Sequence, residues 1–336
     1  MSKTTEKRQD ARQPQKLRDR VPIRHAIACI DTTPASRQII PHALAITNAL
    51  GATLTMVHVI EAPPADQGPS DPVAWELRRR EAQAHVDALA REDAGNNEKV
   101  TTRILEGHSA EQIAECAHQT KADLTCMCTH GTQEATEGEL GETARRVVAA
   151  AAGSILLVPP SAPSSKPVKY TKVFVPLDGS PRAESALSSA VDIAHAYGAE
   201  LILVHATPEL HLTRVGPFEA EDEELARRLQ RRNERVASEY LKRVRAHLVE
   251  RKLVARTLVL TGGDVRRQLA HAITEQNADL VVLASHGHSG HPDVAAGDVA
   301  KYLMGHTAVP LLIVRTQTTR HHSAGSSGVR LPDRSD

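Results

Sequence analysis

Aromatic side chains are almost missing from this chain: Phe, Trp and Tyr together make up 2% of its 336 residues. That scarcity argues against a stacking surface for the bases of single-stranded nucleic acid. The core must be assembled from Ala, Val, Leu and Ile, as in parallel α/β proteins. A surplus of one charge is missing too. Lys+Arg and Asp+Glu both number 41, so no global basic field points to nucleic acid as a partner. No apolar run reaches the roughly 18 residues that would suggest a membrane span, and the first residues lack the apolar stretch of a signal peptide. Cys29, Cys116, Cys126 and Cys128 are the only cysteines and form no C-x-x-C pair. A disulfide framework is therefore not expected, and a reducing, cytoplasmic setting is.

Catalytic signatures are also lacking. There is no G-x-S-x-G nucleophile elbow, no G-x-x-x-x-G-K-[ST] phosphate loop, and no G-x-G-x-x-G after a first strand. A non-enzymatic protein is expected.

What is present is a duplication. The stretch HAIACIDTTPASRQIIPHALAITNALGATLTMVHVI is matched by TKVFVPLDGSPRAESALSSAVDIAHAYGAELILVHA, with Asp31 against Asp178 and His58 against His205 at an offset of 147. Farther on, His130 matches His286 and Gly141 matches Gly297 at an offset of 156. The difference falls between the second and third strands, where one repeat carries a longer helix or loop. The expected division is a basic, disordered arm over 1–22, the first repeat over 23–158, a Pro/Ser linker over 159–169, the second repeat over 170–315, and a disordered tail over 316–336.

Each repeat alternates strands with helices. In the second, one helix is expected through PRAESALSSAVDIAHAYG, ending at Gly198. A longer helix over about 219–250 has its apolar stripe at Leu225, Leu229, Val236, Tyr240, Leu241 and Val244. Such alternation predicts open parallel sheets with right-handed crossovers. The last strand of each repeat, SILLV and PLLIV, is the natural edge for pairing the two repeats about a pseudo-twofold axis.

An Asp ending strand one, LVHA as strand two, ADL before strand four, and then SHG resemble the universal stress protein family, in two copies covering nearly everything between the tails. The resemblance implies a Rossmann-like, adenine nucleotide α-hydrolase-like fold and a stress-response regulatory or protective role. Its nucleotide-binding members carry Gly, two residues, Gly, nine residues, then Gly-Ser or Gly-Thr. Here the second repeat runs from Ala284 to Gly287, then nine residues to Gly297 and Asp298. The first runs from Cys128 to Gly131, then nine residues to Gly141 and Glu142. The spacing is kept twice, while the leading Gly and the hydroxyl residue are lost twice. By the same resemblance, Pro176, Leu177, Asp178 and Ala206 would line an adenine and ribose site in the second repeat. Cys29, Ile30, Asp31 and Val59 would do so in the first.

The departures bear on phosphate. A hydroxyl can donate to a phosphate oxygen, whereas an ionised Asp298 or Glu142 can only accept. A carboxylate about 4 Å from a phosphate charge costs roughly 4 kcal/mol at an effective dielectric near 20. The field of a helix N-terminus returns at most about 1–2 kcal/mol. Asp298 could instead cap its own helix. ATP or another adenine nucleotide remains the alternative ligand, held mainly by the second repeat, with Mg2+ bridging the carboxylate if a polyphosphate binds. Asp31 and Asp178 could hydrogen-bond a ribose hydroxyl or serve as turn and cap residues at their strand ends.

His286, His288 and His291, and Cys126, Cys128 and His130, have the side chains of soft-metal ligands but not the spacing of a zinc site. Cys126 and Cys128, two apart on a strand, would share one buried face, a core role; no metal is expected. Partners implied are the second repeat itself, another copy of the chain or a regulatory protein, and neither a membrane nor nucleic acid.

Overall fold

The structure is a computed structural model that describes residues 22–61, 71–95, 97–130, 138–163, 167–209, 220–287 and 296–315. In the first repeat β1 (His25–Cys29), α1 (Pro34–Arg37), α2 (Ile39–Leu50), β2 (Thr53–Ile60) and α3 (Pro72–Ala94) lead to β3 (Val100–Glu106). Then come α4 (Ser109–Gln119), β4 (Leu124–Cys128), α5 (Glu142–Ala150) and β5 (Ser154–Val158). The second repeat runs β6 (Lys172–Pro176), α6 (Pro181–Glu184), α7 (Ala186–Tyr197), β7 (Glu200–Thr207), α8 (Ala220–Glu250) and β8 (Ala255–Thr261). It ends with α9 (Val265–Glu275), β9 (Leu280–Ala284), α10 (Asp298–His306) and β10 (Leu311–Val314).

All ten strands form one sheet, in the order β3-β2-β1-β4-β5-β10-β9-β6-β7-β8. Within each repeat every pairing is parallel. The seam between SILLV and PLLIV is present and antiparallel, with Leu311 opposite Leu157, Leu312 opposite Leu156 and Ile313 opposite Ile155. The repeat offset of 156 maps the Leu312–Leu156 pair onto itself and exchanges the two outer pairs, so a local twofold passes between Leu156 and Leu312.

Apolar residues pack on both faces of the sheet, as parallel strands require. One core gathers α2, α3, α7 and α8; the other gathers α4, α5, α9 and α10. Cys126 and Cys128 do face the same core, the first of these.

Two helices differ from their sequence patterns. The helix expected from Pro181 onward is split at Ser185, which ends α6 and starts α7; the first repeat breaks at the matching Gln38. In α8 the buried seam is Ala237, Leu241, Val244 and Leu248, while Leu225 and Val236 are exposed. At 1.5 Å per residue, the 31 residues of α8 far outrun the 8-residue β7 beside it, and only its C-terminal half reaches the core.

Candidate functional site

In each repeat the strand order reverses between strand one and strand four, and the carboxyl ends of β1 and β4, or β6 and β9, flank the resulting crevice, the usual ligand position in open α/β sheets. In the second repeat Pro176 ends β6, Ala284 ends β9, and Gly297 and Asp298 open α10. Leu177 is buried; its N–H donates to the Val204 carbonyl at 2.7 Å. Asp178 and Gly287 come together although 109 positions separate them: a Cβ on Gly287 would collide with the Asp178 carboxylate. Any larger residue at Gly287 would have to displace that carboxylate, the far end of an exposed side chain. Ala206 sits on β7 and packs toward the α9 and α10 core, as Val59 on β2 packs toward α4 and α5.

The aspartates turn the chain rather than cap helices. Asp178 Oδ1 accepts from the Ser180 N–H at 2.9 Å, and Asp31 Oδ1 from the Thr33 N–H at 2.7 Å. The caps are the next hydroxyls: Ser180 Oγ accepts from Ala183 N–H and Thr33 Oγ1 from Ser36 N–H. Asx turns handing over to a Ser or Thr cap fold both strand-to-helix corners alike.

Asp298 does not take the capping role that the sequence offered it, and Glu142 does not cap its helix either. Gly297 and Gly141 hold the cap positions without side-chain bonds, and the carboxylates occupy the first helical turn. From there an acidic side chain acts through the helix field instead of accepting an orphan N–H. The Gly297 N–H donates to the Ser285 carbonyl at 2.8 Å and the Gly141 N–H to Thr129 at 2.9 Å. In both repeats the amide at the helix mouth is thus engaged by its own chain. Gly131, His288 and His291 lie outside the described residues.

The electrostatic surroundings of the two mouths differ. The Arg266 guanidinium is held high first by Asp264 and, more weakly, by Asp298, and lies over the Tyr302 ring, 5.7 Å from its centre. Glu142 pairs with exposed Arg146 at 2.7 Å. In the second repeat Tyr240 donates to Glu184 Oε1 at 3.0 Å; burial, then the Glu184 and Asp178 carboxylates, push its phenol far up. In the first repeat the residue matching Glu184 is Arg37, which pairs with Glu92. Burial pushes the Cys128 thiol up, and Asp31 adds to this, against the backbone N–H groups of His130 and Thr129.

One pair of site residues was visible in the sequence only as a repeat match. His205 Nδ1 lies 2.8 Å from the Leu177 carbonyl and His58 Nδ1 2.9 Å from that of Ile30. A carbonyl only accepts, so each imidazole carries its proton on Nδ1. Both brace the backbone at the end of strand one, beside the aspartates. Their recurrence at the offset of the aspartates was the signal. Among the described residues no group of three or more His, Cys, Asp or Glu could hold a metal ion, and no helix is long and apolar enough to cross a membrane.

The universal stress protein family model matches residues 22–159 and again 169–315. The chain belongs to the universal stress protein family. A universal stress protein of Mycobacterium tuberculosis is 27% identical over 301 residues, 86% of this chain and 92% of the relative. Another from the same organism is 26% identical over 244 residues, 69% of this chain and 71% of the relative. Among solved structures, a universal stress protein from Archaeoglobus fulgidus superposes with a TM-score of 0.61 at 15% identity, over 87% of this chain and 98% of that one. At that identity the likeness is one of fold. This universal stress protein is therefore a tandem member, its two family segments joined in one sheet.

Proposed function

We propose that this tandem universal stress protein is a non-enzymatic regulatory or protective module of a reducing, cytoplasmic compartment, with a phosphate loop that is degenerate in both repeats. Its working units are residues 23–158 and 170–315, joined by 159–169, with 1–22 and 316–336 as tails. The observation that carries the reading is the pairing, at both helix mouths, of a chain-engaged glycine N–H with a carboxylate in the first turn. Such a mouth supplies its own acceptor and its own negative charge where a phosphate would need donors. Arg266 softens the repulsion at Asp298, but Asp264 holds that guanidinium first.

A second reading has its own support. Leu177, Asp178 and Gly287 converge in the second repeat, so an adenine nucleotide held through base and ribose, with Mg2+ bridging Asp298 to any polyphosphate, would bind there before the first repeat.

Calorimetry of the purified protein with ATP and AMP, with and without magnesium, separates the two. The degenerate-loop reading expects no metal-free ATP binding at tens of micromolar, and a gain of roughly tenfold or more in ATP affinity for Asp298→Ser, since about 1.4 kcal/mol is tenfold. Tight metal-free ATP binding by the wild type overturns it.

A further inference from the structure

The two repeats meet not only at the sheet seam but at a buried polar corner on the α2 and α7 face. His42 on α2 is 2% exposed and Tyr170, just after the linker, is 1% exposed. The His42 Nε2 lies 3.0 Å from the Pro163 carbonyl, in the linker, and its Nδ1 lies 2.9 Å from the Tyr170 hydroxyl. Only one proton placement satisfies every partner. The carbonyl can only accept, so Nε2 carries the hydrogen, Nδ1 offers its lone pair, and the Tyr170 hydroxyl donates. The Tyr197 ring of α7 stands edge-on to Tyr170, 5.9 Å between centres, and its hydroxyl donates back to the Ala45 carbonyl of α2 at 2.7 Å. Helix α2, the linker and the entry to β6 are thus fastened by one neutral imidazole.

The repeat offset places Ser189 and Ile23 where the pseudo-twofold would need a second His and Tyr. The corner therefore exists once, on the side where the linker crosses, and is not a property of the repeat.

We propose that this corner is an acid-released latch: protonation of His42 frees the linker and Tyr170 from α2 while the β5–β10 seam stays paired. With both ring nitrogens protonated, Nδ1 no longer accepts the Tyr170 hydroxyl. The phenol must turn its hydrogen away, and a buried cation is left without a counter-charge. The titratable groups around the corner are Tyr170, Tyr197, Cys126 and Asp279. Burial raises the first three, so they are neutral throughout the acid range. The Asp279 carboxylate accepts from Thr171 N–H and hydroxyl and from Lys172 N–H, and so is engaged at the foot of β6.

The direction with pH follows. Burial holds His42 down at about 4 against an ordinary 6.5, despite the opposing pull of the Pro163 carbonyl. A released His42 takes its proton near 6.5 and the latched one only near 4. Between those values the open form binds more protons, so the latch is intact above pH 6.5 and weakens as pH falls toward 4. Over that window the open-to-latched ratio rises about 80-fold, within a limit of about 300-fold between alkaline and strongly acid pH.

The test uses the full chain. His42→Gln keeps a donor for Pro163 and an acceptor for Tyr170 but cannot be protonated. Thermal unfolding from pH 7 to pH 4 is expected to fall more steeply in wild type than in this variant. In protein carrying 13C-labelled tyrosine, the Tyr170 resonance, assigned through Tyr170→Phe, is expected to move to its exposed position between pH 6 and 4 in wild type and to stay in the variant. Identical pH profiles for the two proteins overturn the latch. So does a folded His42 whose ring titrates near 6.5 by NMR, a measurement on wild type alone that decides the matter if the variant fails to fold.

Discussion

At Gly287 the exposed Asp178 carboxylate stands where a Cβ would go. Gly287→Ala must push aside a carboxylate that also closes the turn to Ser180. Urea unfolding is expected to show a loss of about 0.5–1 kcal/mol, below the range for overpacking a core because the exposed carboxylate can swing away. In an Asp178→Ala background the same substitution meets no carboxylate. The double-mutant cycle is expected to return a coupling of at least about 0.5 kcal/mol; strict additivity would place the two residues apart. The sequence presented both residues as site candidates, one from each end of the repeat. That they touch was not legible, because no local pattern links residues so far apart.

Among the elements, the helix starts contrast most. Both strand-to-helix corners are capped by hydroxyls, at Thr33 and Ser180, whereas α5 and α10 start on glycine with a carboxylate one position later. Ser180→Ala removes an acceptor from the Ala183 N–H and is expected to cost about 1 kcal/mol. Asp298→Ala removes only a charge from the helix field and is expected to cost about 0.3–1 kcal/mol. Thermal denaturation of both variants checks the order, and a larger loss at Asp298 would return to it the capping role that the geometry assigns to Gly297. The carboxylates at these positions were legible as departures from a Gly-Ser or Gly-Thr pattern. Their placement one step inside the helix was not, because a cap is defined by backbone angles and a motif only by spacing. Helix α8 carries the same lesson: a regular apolar stripe was visible, yet only the part lying over β7 and β8 is buried.

For the molecule as a whole, the decisive contact is the seam at Leu156 and Leu312, where two parallel half-sheets become one. Arg315 reinforces it from the end of β10, its guanidinium donating across the repeats to the Ala151 carbonyl and, at 2.6 Å, to that of Val148 at the C-terminus of α5. A cation at that end of a helix also complements its dipole. Leu312→Ala is expected to cost about 2–5 kcal/mol, since the side chain is wholly buried and the cavity cannot collapse within a paired strand. Equilibrium unfolding measures it; a loss below about 1 kcal/mol would mean the seam contributes little. The duplication, the alternation of strands and helices, the edge strands of the seam and the spacing of both loops could all be read from the chain alone, because periodicity and repetition are one-dimensional properties. Tertiary structure alone decided that Asp178 meets Gly287, that His58 and His205 brace the strand ends, that the aspartates turn rather than cap, and that a single histidine fastens the linker. The aspartate turns are local, but choosing between a turn and a cap needs backbone angles that spacing does not give; the other three depend on atoms far apart in the chain, where sequence spacing carries no information.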